Sequence, residues 1–259
     1  MKHTKAQHAM PTWDKAFIER NNTSAPRYTS YPTAMAFHEE FGVNDYLDAA
    51  TRSNLKQRPL SLYLHLPFCN TVCYYCACNK IVTADRKRSR RYLDQLIHEL
   101  NLQGALFDRN RPVVQLHWGG GTPTFFSASE MTELMYHIGR NFNLPPNQNA
   151  EYSIEIDPRQ ADIDTLSLLH GLGFNRISLG VQDFDPKVQQ AVNRVQPYAM
   201  VAQVFEQARN LGFASINTDL IYGLPYQTPE SYQKTIEQLL KLQPDRISLF
   251  NYAHLPHRF

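Results

Sequence analysis

All four cysteines of the chain, Cys69, Cys73, Cys76 and Cys78, fall within ten residues of the stretch HLPFCNTVCYYCACNK, at spacings C-x3-C-x2-C-x-C. With no partner elsewhere they cannot staple distant segments as a disulfide framework does, and they read as metal or redox ligands. A four-cysteine zinc site usually draws two C-x2-C pairs from separate segments, because a tetrahedron is hard to close from consecutive residues. Three thiolates at C-x3-C-x2-C can instead cap three irons of a cubane and leave the fourth iron open to a chelating ligand. The spacing favours the cluster; a zinc site and inert packed thiols remain the alternatives for the cysteines taken alone.

Whatever the thiols hold must be positioned by a scaffold. The chain has 259 residues, 42% of them hydrophobic and 19% charged, enough for one large domain or two small ones with a sizeable core. Its formal charge of +2 gives no global field that would draw it to nucleic acid or anionic lipid. The N-terminal stretch MKHTKAQHAMPTWDKAF lacks the apolar centre of a signal peptide, and no run of about 18 apolar residues follows, so neither export nor a membrane span is expected. The expected compartment is the cytosol.

Residues 1–55 read as an N-terminal extension wrapping a domain at 56–259, because NNTSAPRYTSYPTAMAF is rich in Pro, Thr and Tyr and has no clean period. Beyond it, six strand-like runs alternate with helix-like ones: LSLYLHL (60–66), VVQLHW (113–118), EYSIEI (151–156), RISLGV (176–181), SINTDLIY (215–222) and RISLFNY (246–252). Tyr92, Leu93, Leu96, Ile97 and Leu100 recur at helical spacing. Ser127 with Glu130 has capping-box spacing, and Asp185-Pro186 and Thr228-Pro229 each place a cap before a proline. Gly173 and Gly212 sit where helices should stop.

Strands alternating with helices imply an α/β fold with a parallel sheet and right-handed crossovers. With no Gly-rich fingerprint after the first strand, the order favours a partial (β/α)6 TIM-like barrel over a doubly wound sheet. Chemistry in such barrels sits at the C-terminal strand ends. The cysteines follow the first strand, GGGTP the second, Glu155-Ile156-Asp157-Pro158 ends the third, Gln182-Asp183 the fourth, Asp219 lies late in the fifth and NYAHLP ends the sixth. Every unusual polar or glycine-rich feature therefore falls on one rim.

Each feature also has a plain reading. Glu155 and Asp219 could be strand-end carboxylates bonded to backbone, and Gly119 to Gly121 an ordinary turn. His65, His117 and His254 read as packed or hydrogen-bonded residues. The run DRKRSRR (85–91) reads as a solvated basic helix start, a contact for a tetrapyrrole's carboxylates or a reductant being the sharper alternative.

Taken together the motifs carry a family resemblance. A C-x3-C-x2-C after the first strand of a βα barrel resembles the radical S-adenosylmethionine (SAM) superfamily. PRYTSYPTA (26–34), CNTVCYYCACNK, LHWGGGTPT, SIEIDPR, GVQDF, AVNR, NTDLIYGLP and NYAHLP resemble, in order, the oxygen-independent coproporphyrinogen III oxidase family, from about residue 20 to the last residue. The resemblance implies that Cys69, Cys73 and Cys76 ligate a [4Fe-4S] cluster while Cys78 does not. One SAM would chelate the open iron, held at Tyr63, Gly119 and Glu155, with Tyr63 and Glu155 closest to the chemistry. A second SAM would lie at Tyr75, Gly120, Gly121, Gln182, Arg194, Asp219 and Ala253. Those residue types suit the roles: glycines let backbone approach a ligand, carboxylates accept from an ammonium or ribose, and a guanidinium takes a carboxylate.

The implied reaction cleaves SAM to a 5'-deoxyadenosyl radical that takes hydrogen from the β-carbon of a substrate propionate. Loss of carbon dioxide and one electron leaves a vinyl group, so coproporphyrinogen III becomes protoporphyrinogen IX in haem biosynthesis. The implied partners are that substrate and a reductant protein such as flavodoxin or ferredoxin, the implied state a monomer, with no nucleic acid and no membrane span. A haem-binding chaperone of the same superfamily is the alternative; such relatives usually lack the cysteine at Cys78 and the PRYTSYPTA extension. The family also carries a substantial C-terminal part beyond NYAHLP, and because this sequence stops at Phe259 a fragment or a truncated, non-catalytic remnant is a further expectation.

Overall fold

A computed structural model describes residues 13–22 and 34–254. The motif at 26–33 and the last residues of NYAHLP lie outside them. The chain divides into two compact units, residues 1–47 and 48–259. In the first, α1 (Lys15–Asn21) starts where the Asp14 carboxylate accepts from the Phe17 N–H at 2.9 Å. Helix α2 (Val43–Leu55) runs across the division.

The second unit is built on β1 (Leu60–Leu66), β4 (Val113–Gly120), β5 (Glu151–Ile156), β6 (Arg176–Gln182), β7 (Ser215–Tyr222) and β8 (Arg246–Asn251). They form one parallel sheet in the order β1-β4-β5-β6-β7-β8. All six expected strands are present within two residues of their expected ends. Two short strands absent from the sequence reading, β2 (Phe68–Cys69) and β3 (Ile81–Val82), pair in parallel beside the sheet. The crossovers are α3 (Arg86–Leu106), α4 (Ala128–Asn141), α5 (Ile163–Gly171), α6 (Pro186–Ala191), α7 (Tyr198–Leu211) and α8 (Pro229–Lys241).

Local chemistry explains the helix ends. Ser127 and Glu130 form the full capping box of α4, and Thr228 with Ser231 forms that of α8. Asp185 caps α6 ahead of Pro186. Gly212 closes α7 at φ +90°, a left-handed conformation that costs a glycine little.

The faces of the sheet divide by polarity. In β5, Tyr152, Ile154 and Ile156 are buried, and in β6 Ile177, Leu179 and Val181 are. They join a core with Trp118 packed edge-on to Phe174, centroids 4.9 Å apart, and with Leu134, Ile138, Leu166 and Leu169 from the helices. The intervening positions, Glu151, Ser153, Glu155, Arg176 and Ser178, are half-buried and polar. A parallel strand covered by helices on both faces would read as one apolar run; the alternation here marks a second face with another purpose.

That face is curved. Cys69, just past β1, and Phe250 of β8 line one cavity, yet β1 and β8 stand at opposite ends of the six-strand order. At about 4.8 Å per strand a flat sheet would hold them roughly 24 Å apart. The strands therefore curl as in a partial barrel, bringing the ends of non-adjacent strands to one mouth.

Candidate functional site

The cysteine loop leaves β1 through Pro67 and is pinned at its base. Ile81 N–H donates to Pro67 O (2.7 Å) and Thr83 N–H to Cys69 O (3.0 Å), so residues 70–80 form a closed excursion between β2 and β3. Its far side is tied to the end of α6: Tyr74 N–H donates to Val192 O (3.0 Å) and Asn193 Nδ2 to Val72 O (2.7 Å). Lys80 Nζ donates to Cys76 O at 2.7 Å, holding the loop's two arms together. All four thiols face a cavity of about 260 Å³ that Tyr75, Gly120, Gly121, Glu155, Gln182, Arg194 and Asp219 also line.

Each sulfur has its own surroundings. Thr122 Oγ1 donates to Cys69 Sγ (3.6 Å), and Arg194 Nη1 and Arg159 Nη2 stand 3.5 and 3.8 Å from Cys73 Sγ. Burial pushes the Cys69 thiol up, against the Thr122 hydrogen bond. Cys78, with help from Lys80, outweighs burial and lowers Cys76 to about 5, while the same neighbour and burial push Cys78 up.

Behind Cys73 lies a buried charge cluster. Arg194 Nη1 donates to Asp157 Oδ2 at 3.2 Å, and Arg159 Nη2 donates to the same oxygen at 2.6 Å. Arg194 also donates through Nη2 (2.7 Å) and Nε (3.3 Å) to Gly180 O. Burial would raise the Asp157 carboxyl, but the two guanidinium groups hold it below its ordinary range. Arg194 is therefore engaged on three sides within the protein.

On the opposite wall, burial acting to raise the Glu155 carboxyl is outweighed by the His117 ring and the Gly120 N–H, which donates to Oε2 at 3.1 Å, so the group is held low. Asp219 goes the other way: burial and the charge of Glu155 raise it, despite donors on Ser178, Ser248 and Asn217. Gln182 ends β6 at φ +66° after a register shift between Gly180 and Gln182. Its Oε1 is buried without a partner, and the residue forms part of the cavity lining. A Cβ on Gly121 would meet the Phe68 and Pro67 backbone at 2.7 Å, so only glycine lets the strand pass the cysteine loop this closely. Tyr75 packs on Val188, Val192, Ile221 and Leu224, and burial raises its phenol. Tyr63 and Gly119 stand beside Glu155 rather than in the cavity wall, and Ala253 is exposed just after β8, also outside the lining.

The model of the radical SAM superfamily matches residues 63–239. The chain belongs to the radical SAM superfamily. Within it, the chain is 53% identical over 247 residues to the oxygen-independent coproporphyrinogen III oxidase of Pseudomonas aeruginosa, covering 95% of this chain and 54% of that one. The Helicobacter pylori protein of the same name is 48% identical over 251 residues, with 95% and 54% covered. The solved structure of Escherichia coli coproporphyrinogen III oxidase, described as a radical SAM enzyme, superposes with a TM-score of 0.87 at 48% identity, covering 96% of this chain and 54% of that one. The chain thus spans about half the length of the curated relatives it matches.

The superfamily implies an iron-sulfur cluster and SAM, and the residues fit them. Among the described residues no group of three or more His, Cys, Asp or Glu side chains is arranged to hold a single metal ion. Cys69, Cys73 and Cys76 instead surround a shared cavity, which suits a cubane that takes each thiolate on a different iron. The donors on Cys69 and Cys73 are of the kind that stabilises cluster-bound sulfur.

Sequence reasoning missed Asp157, Arg159 and Lys80 as parts of this site. The strand-end run Asp157-Pro158-Arg159 was the visible signal, since an acid and a base two residues apart at a catalytic rim can bind one another and still reach the site. Nothing local marked Thr122 as a partner for Cys69.

Proposed function

We propose that this chain carries the cluster- and SAM-binding half of a coproporphyrinogen III oxidase that works without oxygen, converting two propionate side chains of coproporphyrinogen III to vinyl groups and giving protoporphyrinogen IX. The observation that carries the proposal is one cavity uniting Cys69, Cys73 and Cys76 with Glu155, Gln182, Arg194 and Asp219, in a chain about half identical to enzymes of that name. When bound, a reduced cluster supplies the single electron that cleaves SAM.

The chain's own residues have separate tasks. Cys69, Cys73 and Cys76 would hold three irons, with Cys78 beside Cys76 but not a ligand. Glu155, kept ionised, is an acceptor for the ammonium of a first SAM, with Tyr63 and Gly119 beside it. Gln182 and Asp219 offer acceptors, and Gly120 and Gly121 close backbone approach, to a second SAM near Tyr75 and Ala253. Arg194 and Arg159 present cationic edges around Cys73 that stabilise negative charge on the cluster. Each substrate propionate loses one β-hydrogen, carbon dioxide and one electron, so turnover also needs an outside reductant, a small protein such as flavodoxin or ferredoxin, and an electron acceptor. We place the working enzyme in the cytoplasm as a monomer; no helix among the described residues is long and apolar enough to cross a membrane.

The test is anaerobic reconstitution of the wild type and of Cys69→Ala, Cys73→Ala, Cys76→Ala and Cys78→Ala, with iron, sulfide and absorbance measured. The cubane should be lost in the first three and kept in Cys78→Ala. A cubane that survives Cys76→Ala but not Cys78→Ala overturns the ligand assignment. In a full-length context and under reducing conditions the loaded enzyme should form protoporphyrinogen in proportion to SAM consumed.

A further inference from the structure

On the inner face of the sheet, Tyr63 of β1, His117 of β4 and Ser153 of β5 lie opposite one another in the strand register. The His117 ring stacks on Tyr63, centroids 5.7 Å apart and planes 15° from parallel. Its Nδ1 is 2.6 Å from Ser153 Oγ and its Nε2 3.3 Å from Glu155 Oε1. One imidazole therefore touches both Tyr63 and Glu155. We propose that His117 is a positioning residue, holding the Tyr63 ring and the Glu155 carboxylate in the relative pose that receives the first SAM. The proposal rests on the SAM reading of this site given above.

An ionised carboxylate only accepts, so Nε2 carries a proton toward Glu155, while the Ser153 hydroxyl, able both to donate and to accept, holds Nδ1 on the other side of the ring. Glu155 Oε2 is held separately by the Gly120 N–H. With one donor on each oxygen, the carboxylate cannot rotate without breaking a bond. Tyr63 is fixed twice as well: its ring lies against His117, and its hydroxyl is 2.9 Å from Nδ1 of His65, whose Nε2 meets Asn79 O at the end of the cysteine loop (2.8 Å). The crowding needs Gly119, where a Cβ would stand 2.9 Å from Glu155 Oε1 and 3.0 Å from His117 Nε2.

A histidine that merely filled the core would be buried among apolar side chains. The His117 side chain is instead 35% exposed, and Glu155 43%. Both line a second cavity of about 400 Å³ on the inner face, which Ser178 and Asp219 share with the cysteine cavity. A hydrogen bond so exposed adds little to folding, while freeing the carboxylate costs orientation at the ligand. Stability and binding are thus separable here.

The experiment uses the anaerobically reconstituted chain, with SAM as the probe and equilibrium dialysis as the readout, on the wild type and on His117→Phe, His117→Gln and His117→Asn. Phenylalanine keeps the stack on Tyr63 and loses both hydrogen bonds. A glutamine amide reaches the Nε2 position and an asparagine amide only the Nδ1 position. The expected result is SAM binding about tenfold weaker in His117→Phe at unchanged iron, sulfide and melting temperature, largely restored in His117→Gln and not in His117→Asn. His117→Phe binding SAM as tightly as the wild type overturns the proposal, as does equal binding by the Gln and Asn variants. If the Phe variant does not load its cluster, the Gln and Asn pair decides. A fully loaded wild type that binds no SAM overturns the SAM reading itself and this proposal with it, an outcome distinct from tight wild-type binding that His117→Phe leaves untouched.

Discussion

Replacing Arg194 with alanine tests the buried charge cluster behind Cys73. The guanidinium gives up a contact to Asp157 (3.2 Å), two to Gly180 O (2.7 and 3.3 Å) and one to Cys73 Sγ (3.5 Å). Removing one partner of a buried pair typically costs about 3 to 5 kcal/mol because the other charge is stranded. Here Asp157 keeps Arg159, at 2.6 and 3.0 Å, and Gly180 O keeps Gln196 Nε2 at 2.9 Å. Nothing is left wholly unpaired, so the loss falls at the low end, about 3 kcal/mol. Lysine, a point charge without a fork, should recover less than half of it. Urea unfolding of both variants at pH 7 gives these differences directly. The pH dependence follows from Asp157. Its native carboxyl is held below the ordinary value, so the stabilisation is complete above the unfolded value of about 3.9 and is lost as pH falls through the lower native value. The gap between wild type and Arg194→Ala should therefore be level from pH 8 to about 5 and narrow as pH falls below about 3.9, the contacts to Gly180 O persisting. If the gap at pH 7 is under about 1 kcal/mol, Arg194 is a free ligand-binding cation and the reasoning fails.

Two other perturbations have definite signs. Gly121→Ala drives a Cβ to 2.7 Å from backbone atoms that cannot rotate away, whereas Gly171→Ala, at the end of α5, meets nothing within 4 Å. The first should destabilise by about 1 to 3 kcal/mol and the second stabilise by about 0.5 to 1, as read by thermal melting; a harmless Gly121→Ala would show that the cysteine loop yields. Asp219 has a raised native value, so its contribution is most favourable below the unfolded value of about 3.9 and declines as pH rises through the native one. The stability of the wild type relative to Asp219→Asn should accordingly fall as pH rises from the unfolded value through the higher native one, and a difference that rises instead would show that the donors on Ser178, Ser248 and Asn217 outweigh burial.

The strands of the sheet were legible because each is a short β-branched or apolar run between turn residues, and the caps at Ser127, Asp185 and Thr228 because capping is settled within four residues. C-x3-C-x2-C already announced the metal chemistry, whereas the alternation in EYSIEI and RISLGV that marks the polar inner face went unread. The pairing of Phe68–Cys69 with Ile81–Val82 could not be read, since two-residue strands have no period. Nor could the partners of the site: Arg194 and Cys73 are 121 residues apart in the chain, Arg194 and Asp157 37, and His117 and Glu155 38. His117 read as a packed or hydrogen-bonded histidine with no stated partner, because its type and neighbours in sequence say nothing of the strand beside it. Local sequence determines which segments become strands and which side chains face inward. Only the curl of the sheet decides which inward side chains meet, since that depends on the register and twist of strands whose ends are brought together from opposite sides of the barrel.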